Sequence, residues 1–291
     1  VRLFACPTRI VYGIGSRNEV GKEAAGLAGK RCLIITDGGV AAAGMADDVE
    51  RSLIEAGLTA GLFTDVEPNP DVENVDKGAR IAKEFGADVL VAIGGGSAMD
   101  TAKAIGVLLA DGKQSIYEYF RNPKVDKPIV PLVAVPTTAG TGSEVSYTAV
   151  INKKATGERL SLTSPLLACR GAVLDPTLAA QMPPRLAAST GMDALAHALE
   201  GFTCKKASAF GDAFAAESMR LIGRSLLRLV EEPGNIAAAS DMIIASTMAG
   251  LVLNLSGVGI CHALARPLST FYGMHHGLAN AVVLPHYVSF G

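Results

Sequence analysis

Residues 88–100 read DVLVAIGGGSAMD, and this stretch decides how the first half of the chain folds. The run from Asp88 to Ile93 is almost entirely apolar, which is typical of a parallel strand that is buried on both faces. Gly94-Gly95-Gly96-Ser97 then ends the strand, and a helix is predicted from Ala98 onward. Glycines allow backbone N–H groups to approach a phosphate, and a helix N-terminus carries partial positive charge. The stretch therefore predicts a strand–loop–helix unit suited to phosphate, although a tight turn without a ligand has the same pattern.

The rest of the first half repeats this alternation of strand and helix. Strands are predicted at 31–36, 62–66, 88–93 and 129–135, and helices at 45–56, 72–85 and from residue 98. Alternation at this spacing predicts a mostly parallel, Rossmann-like sheet with helices on both faces. Ligands of such sheets bind at the carboxyl ends of the strands.

The composition changes near Asp175-Pro176. Beyond this point alanine, leucine and methionine dominate, and helix-length segments are predicted at 185–203, 207–230 and 236–255. We therefore predict an α/β domain over residues 1–180 and an all-helical domain over residues 181–291.

The net charge and the cysteine content indicate which classes of partner and which cellular compartment are expected. The chain has 291 residues and a net charge of -2, so it lacks the excess of basic residues that would favour binding to nucleic acid or anionic lipid. Its five cysteines are widely spaced without a C-x-x-C pair, which favours a reduced, cytoplasmic protein. Residues 242–265 lack charged side chains but include polar residues and two glycines. We predict a buried helix pair there, and no membrane span.

A hydroxyl-rich loop and an aspartate follow two of the predicted strands. Thr137, Thr138 and Thr141 lie in a glycine-containing loop, TTAGTGSE, and their hydroxyls can bind phosphate, ribose or an amide. A solvated loop is the alternative. Asp37 ends the first strand, where a carboxylate accepts hydrogen bonds from a ribose 2′-OH and repels a 2′-phosphate. A helix N-cap is the equally open alternative for this aspartate.

Four of the five histidines lie between residues 197 and 276. Asp193 and His197 are four residues apart, so they project from one face of a predicted helix. His262 and His276 follow in the same helical half. Imidazole and carboxylate ligands suit iron(II) or zinc, and such an ion can act as a Lewis acid on a carbonyl or alkoxide oxygen. Each of these side chains could instead cap a helix or bond to a carbonyl.

Taken together, these motifs resemble the iron-containing (group III) alcohol dehydrogenase family. The most specific marks are GMDALAHALE at 191–200 and the segment 262–276, with further likeness at 94–100 and 136–144. The resemblance implies a dehydroquinate synthase-like fold, in which a nucleotide-binding domain precedes a helical metal-binding domain and the active site lies in the cleft between them. It implies iron(II), with zinc as a substitute, held by Asp193, His197, His262 and His276.

The same resemblance implies NAD as cofactor and a small alcohol or aldehyde as substrate, in a homodimeric enzyme. The cofactor-binding positions that it implies are Asp37, Asn69, Gly95, Gly96, Ser97, Asp100, Thr137, Thr138, Thr141 and Arg159. An aspartate at the position of Asp37 is expected to favour NAD.

Arg266 is the main departure from the family pattern, because many relatives have a histidine four residues after the third ligand. Arginine cannot relay a proton, since its pKa lies far above neutrality, but it binds carboxylates, phosphonates and sulfonates in a bidentate manner. We therefore expect Arg266 to hold an anionic aldehyde in the active site. Pairing with a carboxylate of the protein is the alternative.

Two other departures concern Arg159 and the length of the chain. Arg159 stands where many relatives have a cofactor-contacting lysine. Relatives also continue beyond residue 291, so the helical domain is expected to be incomplete at its C-terminus.

Other functions fit parts of the pattern. Glycerol dehydrogenases and dehydroquinate synthases have related folds but use a different set of metal ligands. A metal-dependent hydrolase would use the glycine loops for phosphate alone and would be active without nicotinamide. An inactive, metal-stabilised binding protein would bind metal without turnover.

Overall fold

The computed structural model describes residues 4–290 and divides into two compact units. The α/β unit comprises Pro7–Pro136 and Tyr147–Asp175. The helical unit comprises residues 4–6, Thr137–Ser146 and 176–290. The sequence predicts a boundary at residue 180 with the segment Thr137–Ser146 in the α/β domain, whereas in the structure this segment packs with the helices.

A six-stranded parallel sheet forms the centre of the α/β unit. The strands of the whole α/β unit, including two that lie outside this sheet, are β1 (Arg9–Tyr12), β2 (Arg31–Ile35), β3 (Thr59–Phe63), β4 (Val89–Gly94), β5 (Leu132–Pro136), β6 (Thr148–Lys153), β7 (Glu158–Thr163) and β8 (Gly171–Leu174). The order in the sheet is β1-β8-β5-β4-β2-β3, and β6 and β7 form a separate antiparallel hairpin. Every residue of β4 is buried, as its apolar run predicted. The parallel sheet confirms the predicted α/β fold.

The order in which the chain adds strands to the sheet changes side at β2. From β2 the chain continues to β3 on one side and then to β4 on the other side. The carboxyl ends of β2 and β4 therefore flank the crevice at which open α/β sheets bind ligands.

Helices cover the sheet and make up most of the second unit. They are α1 (Val20–Ala25), α2 (Gly38–Ala42), α3 (Met45–Glu55), α4 (Val72–Phe85), α5 (Gly96–Asp111), α6 (Glu118–Arg121), α7 (Pro176–Ala179), α8 (Pro184–Thr203), α9 (Ala209–Glu231), α10 (Ile236–Ser256), α11 (Ile260–Tyr272) and α12 (His276–Phe290). α4 illustrates why the bounds fall where they do. Asp71 accepts a hydrogen bond from Glu73 N at 2.8 Å as N-cap, and Gly86 ends the helix in the left-handed conformation.

The uncharged stretch at 242–265 forms parts of α10 and α11, so the predicted helix pair is present, but Ile260 and Leu264 of α11 are exposed rather than buried. α10 is the one helix among residues 4–290 that is long and apolar enough to cross a membrane, but 61% of its most apolar window is buried inside the protein. It packs against α8 and α9. Its apolar character is therefore that of a core helix.

Candidate metal centre and nucleotide-binding loops

One face of α8 carries three buried polar side chains. Asp193, His197 and Glu200 follow one another at spacings of four and three residues, which places them on the same face. All three are buried, and Glu200 is fully inaccessible to solvent. Burying this much polar surface is costly unless the groups are paired or bind an ion.

α11 and α12 bring two of the predicted histidines to this face. Asp193 Oδ1 lies 3.7 Å from His262 Nε2 and 3.9 Å from His276 Nε2. One ligand atom from each of these three residues lies within 4.8 Å of the other two. Three of the four predicted metal ligands therefore converge, although they come from three different helices.

His197 lies beside this group without belonging to it. Its ring stacks on that of His262, with centroids 4.6 Å apart and an interplanar angle of 20°. Its Nδ1 is buried and has no hydrogen-bond partner among the described residues. A buried nitrogen without a partner is costly, so a ligand that accepts its lone pair would stabilise this arrangement.

The structure adds Glu200, which the sequence analysis did not single out as a functional residue. Its Oε2 bonds to His262 Nδ1, and its Oε1 accepts a hydrogen bond from Cys261 N at 2.7 Å. The first contact leaves Nε2 of His262 facing Asp193, and the second holds the first turn of α11. Such carboxylate–imidazole pairs orient metal-binding histidines in many proteins. The signal in the sequence was a carboxylate three residues after His197 on the same helical face.

The protonation of these groups follows from burial and mutual charge. Burial alone would raise the pKa of Asp193, but the neighbouring His197, His262 and His276 hold it well below its ordinary value. Burial lowers the pKa of His197 to about 4, against the opposing effect of Asp193. Burial alone would lower the pKa of His262, but hydrogen bonds with Asp193 and Glu200 raise it to about 9. At neutral pH the site thus holds ionised Asp193 and neutral His197, while a metal would displace a proton from His262.

The donor set fits a divalent transition metal. It offers one ionised carboxylate, two imidazole nitrogens at converging positions and a third, unpartnered imidazole nitrogen on the neighbouring ring. Mixed imidazole and carboxylate ligands suit iron(II) and zinc.

In the α/β unit, Asp37 and the glycine loop lie at the ends of adjacent strands. Asp37 caps α2, because its Oδ1 accepts hydrogen bonds from Gly39 N at 2.9 Å and Val40 N at 3.0 Å. The N-cap interpretation of Asp37 is therefore correct. Its Oδ2 takes no part in the cap and faces the end of β4, 3.6 Å from where a Cβ on Gly94 would lie. A ribose-binding role for this second oxygen stays a prediction.

Gly95 and Gly96 lie at the start of α5, so the predicted strand–loop–helix unit is present. Gly95 is the N-cap and has no side chain that could accept a hydrogen bond from the first amide groups of α5, while Ala98 N and Met99 N donate to Gly95 O. Gly94 has φ +149°, and a Cβ there would lie 2.8 Å from Ala98 Cβ. The turn therefore requires glycine at this position, and Ser97 follows in the first turn of the helix.

Three other predicted cofactor residues lie elsewhere in the α/β unit. Asp100 accepts a hydrogen bond from Val150 N at 3.0 Å and so joins α5 to the β6–β7 hairpin. Arg159 lies in β7 opposite Asn152. Asn69 is exposed, with φ +54° in the left-handed region that asparagine tolerates. The contact of Asp100 is structural, and the cofactor roles of all three stay predictions.

The loop that contains Thr137, Thr138 and Thr141 belongs to the helical unit. Most of it is buried, so the solvated-loop alternative is wrong. The adjoining segment packs on α10: Asn254 Nδ2 donates to Val145 O at 2.8 Å. Gly142 and Gly250 also approach so closely that a Cβ on Gly250 would lie 2.5 Å from Gly142 O. α10 therefore fixes the conformation of this loop.

Arg266 lies one turn beyond His262 on α11 and is exposed. It forms no ion pair with a carboxylate among residues 4–290. The alternative that Arg266 pairs with a carboxylate of the same chain is therefore not supported within this range.

Comparison with known proteins adds independent findings. A family model described as "Iron-containing alcohol dehydrogenase" matches residues 7–176. A second, described as "Fe-containing alcohol dehydrogenase family, C-terminal", matches residues 187–291. Together the two models cover most of the chain.

Individual relatives agree with the family models. The NAD-dependent methanol dehydrogenase of Bacillus methanolicus is 38% identical over 99% of this chain and 75% of its own length. The crystal structure of a 1,3-propanediol oxidoreductase superposes with a TM-score of 0.95 at 36% identity, over 99% of this chain and 76% of that one. The sulfoacetaldehyde reductase of Bifidobacterium kashiwanohense, solved in complex with NAD+, gives a TM-score of 0.92 at 34% identity, over 100% and 77%.

Proposed function

We propose a ligand set, a cofactor site and a substrate class for this chain, which belongs to the iron-containing alcohol dehydrogenase family. The chain is an oxidoreductase that acts on alcohols or aldehydes, with NAD and iron as its cofactors. The predicted family, enzyme class, fold class and cofactors are thereby confirmed.

The proposed metal ligands are Asp193, His197, His262 and His276. The observation that carries this proposal is the convergence of three donor atoms within 4.8 Å, beside the unpartnered Nδ1 of His197. When bound, the ion supplies Lewis acidity for the negative charge that develops on the substrate oxygen during hydride transfer. The chain's own part is to hold the ligands: Glu200 fixes the ring of His262, and burial keeps His197 neutral.

The proposed NAD site uses the crevice at the ends of β2 and β4. The uncapped first turn of α5, at Gly95, Gly96 and Ser97, would hold the pyrophosphate, and Asp37 Oδ2 would accept from the ribose 2′-OH. The other residues proposed to contact NAD are Asn69, Asp100, Thr137, Thr138, Thr141 and Arg159.

Replacing Asp37 should raise the use of NADP. Asp37→Gly removes both the charge and the cap of α2, whereas Asp37→Ser removes the charge and keeps a capping oxygen. We expect both variants to shift the ratio of kcat/KM for NADP over NAD in favour of NADP, because the carboxylate no longer repels the 2′-phosphate. Steady-state kinetics with both cofactors measure the ratio. An unchanged ratio in both variants would show that Asp37 serves only as the cap.

The proposed substrate is a small aldehyde that carries a carboxylate, phosphonate or sulfonate. Arg266 supports this choice, because it lies one turn from His262 and has no carboxylate partner among the described residues. The solved relative that reduces sulfoacetaldehyde, by its name, acts on an aldehyde of this class. A bidentate arginine would orient the anion and place the carbonyl group at the ion.

Arg266→Leu should remove the preference for anionic aldehydes. A hydrogen bond to a charged group contributes about 1.5–3 kcal/mol, so kcat/KM for acidic aldehydes should fall about 10- to 100-fold while neutral aldehydes are little affected. NADH oxidation with a panel of acidic and neutral aldehydes measures both. Arg228→Leu, which removes an exposed arginine from α9, is the matched control. Equal preference in the wild type and in Arg266→Leu contradicts the proposal.

We also propose that the enzyme is cytoplasmic and homodimeric. All five cysteines are free, as expected in a reducing compartment. The dimer follows from the family likeness and is tested by sedimentation velocity.

A further inference from the structure

Asn280 is a fully buried amide at the centre of the metal-binding group. It lies on α12, one turn after His276. Its Nδ2 donates a hydrogen bond to Asp193 Oδ1 at 2.6 Å. The same nitrogen lies 3.2 Å from His262 Nε2 and 3.4 Å from His276 Nε2.

The hydrogen bond from Asn280 restrains the Asp193 carboxylate. A hydrogen bond from an amide to an ionised carboxylate is short and strong, and here it is fully removed from solvent. It fixes the oxygen of Asp193 that faces the two imidazole nitrogens. It also joins α12 to α8, since Asn280 and Asp193 come from different helices.

We infer that Asn280 is a positioning residue of the metal site, which holds the Asp193 carboxylate in its ligating orientation. The inference rests on the proposed ligand set. Residues that orient metal ligands typically change metal affinity by about 10- to 100-fold when they are removed. The loss of Asn280 should therefore weaken metal binding even though its side chain is not among the four proposed ligands.

The test measures metal affinity directly. Asn280→Ala removes the donor, and Asn280→Leu removes it while keeping a side chain that is branched at Cγ and larger than asparagine, so that a cavity does not explain the result. Each full-length variant is titrated with iron(II), and separately with cobalt(II), in competition with a chelator. We expect a dissociation constant about 10- to 100-fold weaker in both variants, and an altered visible spectrum of the bound cobalt, because the spectrum reports ligand geometry.

Asn74→Ala is the matched control. Asn74 is a buried asparagine of the α/β unit whose Nδ2 donates to Asp65 O. This variant should lower the melting temperature but leave metal affinity and the cobalt spectrum unchanged. A purely structural role of Asn280 predicts the same behaviour for its own variants.

Two ligand variants separate the possible failures. If Asp193→Ala and His276→Ala lose metal while both Asn280 variants bind it as the wild type does, the positioning role is overturned and the ligand set stands. If Asp193→Ala and His276→Ala also bind metal normally, the ligand set fails, and the role of Asn280 fails with it.

Discussion

His262→Ala is expected to abolish both tight metal retention and turnover. His262 offers Nε2 to the site, 3.7 Å from Asp193 Oδ1, and its Nδ1 is held by Glu200. The substitution removes one donor and leaves the buried Glu200 carboxylate without its imidazole partner. Since the ion contributes several kcal/mol of charge stabilisation, kcat/KM should fall about a thousandfold or more.

Metal analysis after dialysis and NADH oxidation with an aldehyde substrate measure the two losses. His286→Ala, which replaces an exposed histidine on α12, should keep both properties and controls for the loss of an imidazole. Full activity of metal-stripped His262→Ala would refute the assignment of His262 as a ligand.

Gly277→Ala is expected to destabilise the helical unit and to weaken the metal site together. A Cβ on Gly277 would lie 2.0 Å from Ser189 O and 3.3 Å from Asp193 Cβ. The clashing atom is a backbone oxygen of α8, which cannot change rotamer to make room for a methyl group. We therefore expect α12 to shift, which would increase the distance between the adjacent His276 and Asp193. Overpacking of this kind costs about 1–3 kcal/mol of unfolding free energy. Chemical denaturation measures this cost, and chelator competition measures the weaker metal binding.

Gly223→Ala is the control for this effect. Gly223 lies within α9, and a Cβ there would meet no atom within 4 Å. Alanine is the better helix former by about 0.5–1 kcal/mol, so this variant should be as stable as the wild type or more stable. If Gly277→Ala and Gly223→Ala lose unfolding free energy and metal affinity to the same extent, the close contact between Gly277 and Ser189 does not determine the position of His276.

The fold was predictable where a segment carries its own signal. The continuous apolar run of β4 and the helical period of α4 identified both elements without any tertiary information. The hairpin β6–β7 was missed. The second strand was expected at 62–66 but lies at Thr59–Phe63, because its register is set by pairing with β2, where Ile35 is opposite Phe63. Pairing between segments distant in sequence has no local signature.

The same distinction applies to the site. Asp193 and His197 were found because four-residue spacing on a helix is a local property. Asn280 also follows His276 by one turn, but an amide has no spacing pattern that indicates a role beside a metal. The packing of the loop near Val145 on Asn254 was not predictable either, since the two residues are 109 positions apart in the chain.

The most direct test is an anomalous-scattering map, recorded at the iron absorption edge from crystals of the iron-loaded protein. We expect a single peak at about 2.0–2.2 Å from donor atoms of Asp193, His197, His262 and His276. An iron peak bound by other residues, or one beyond bonding distance of this carboxylate and these three imidazoles, would contradict the proposed centre.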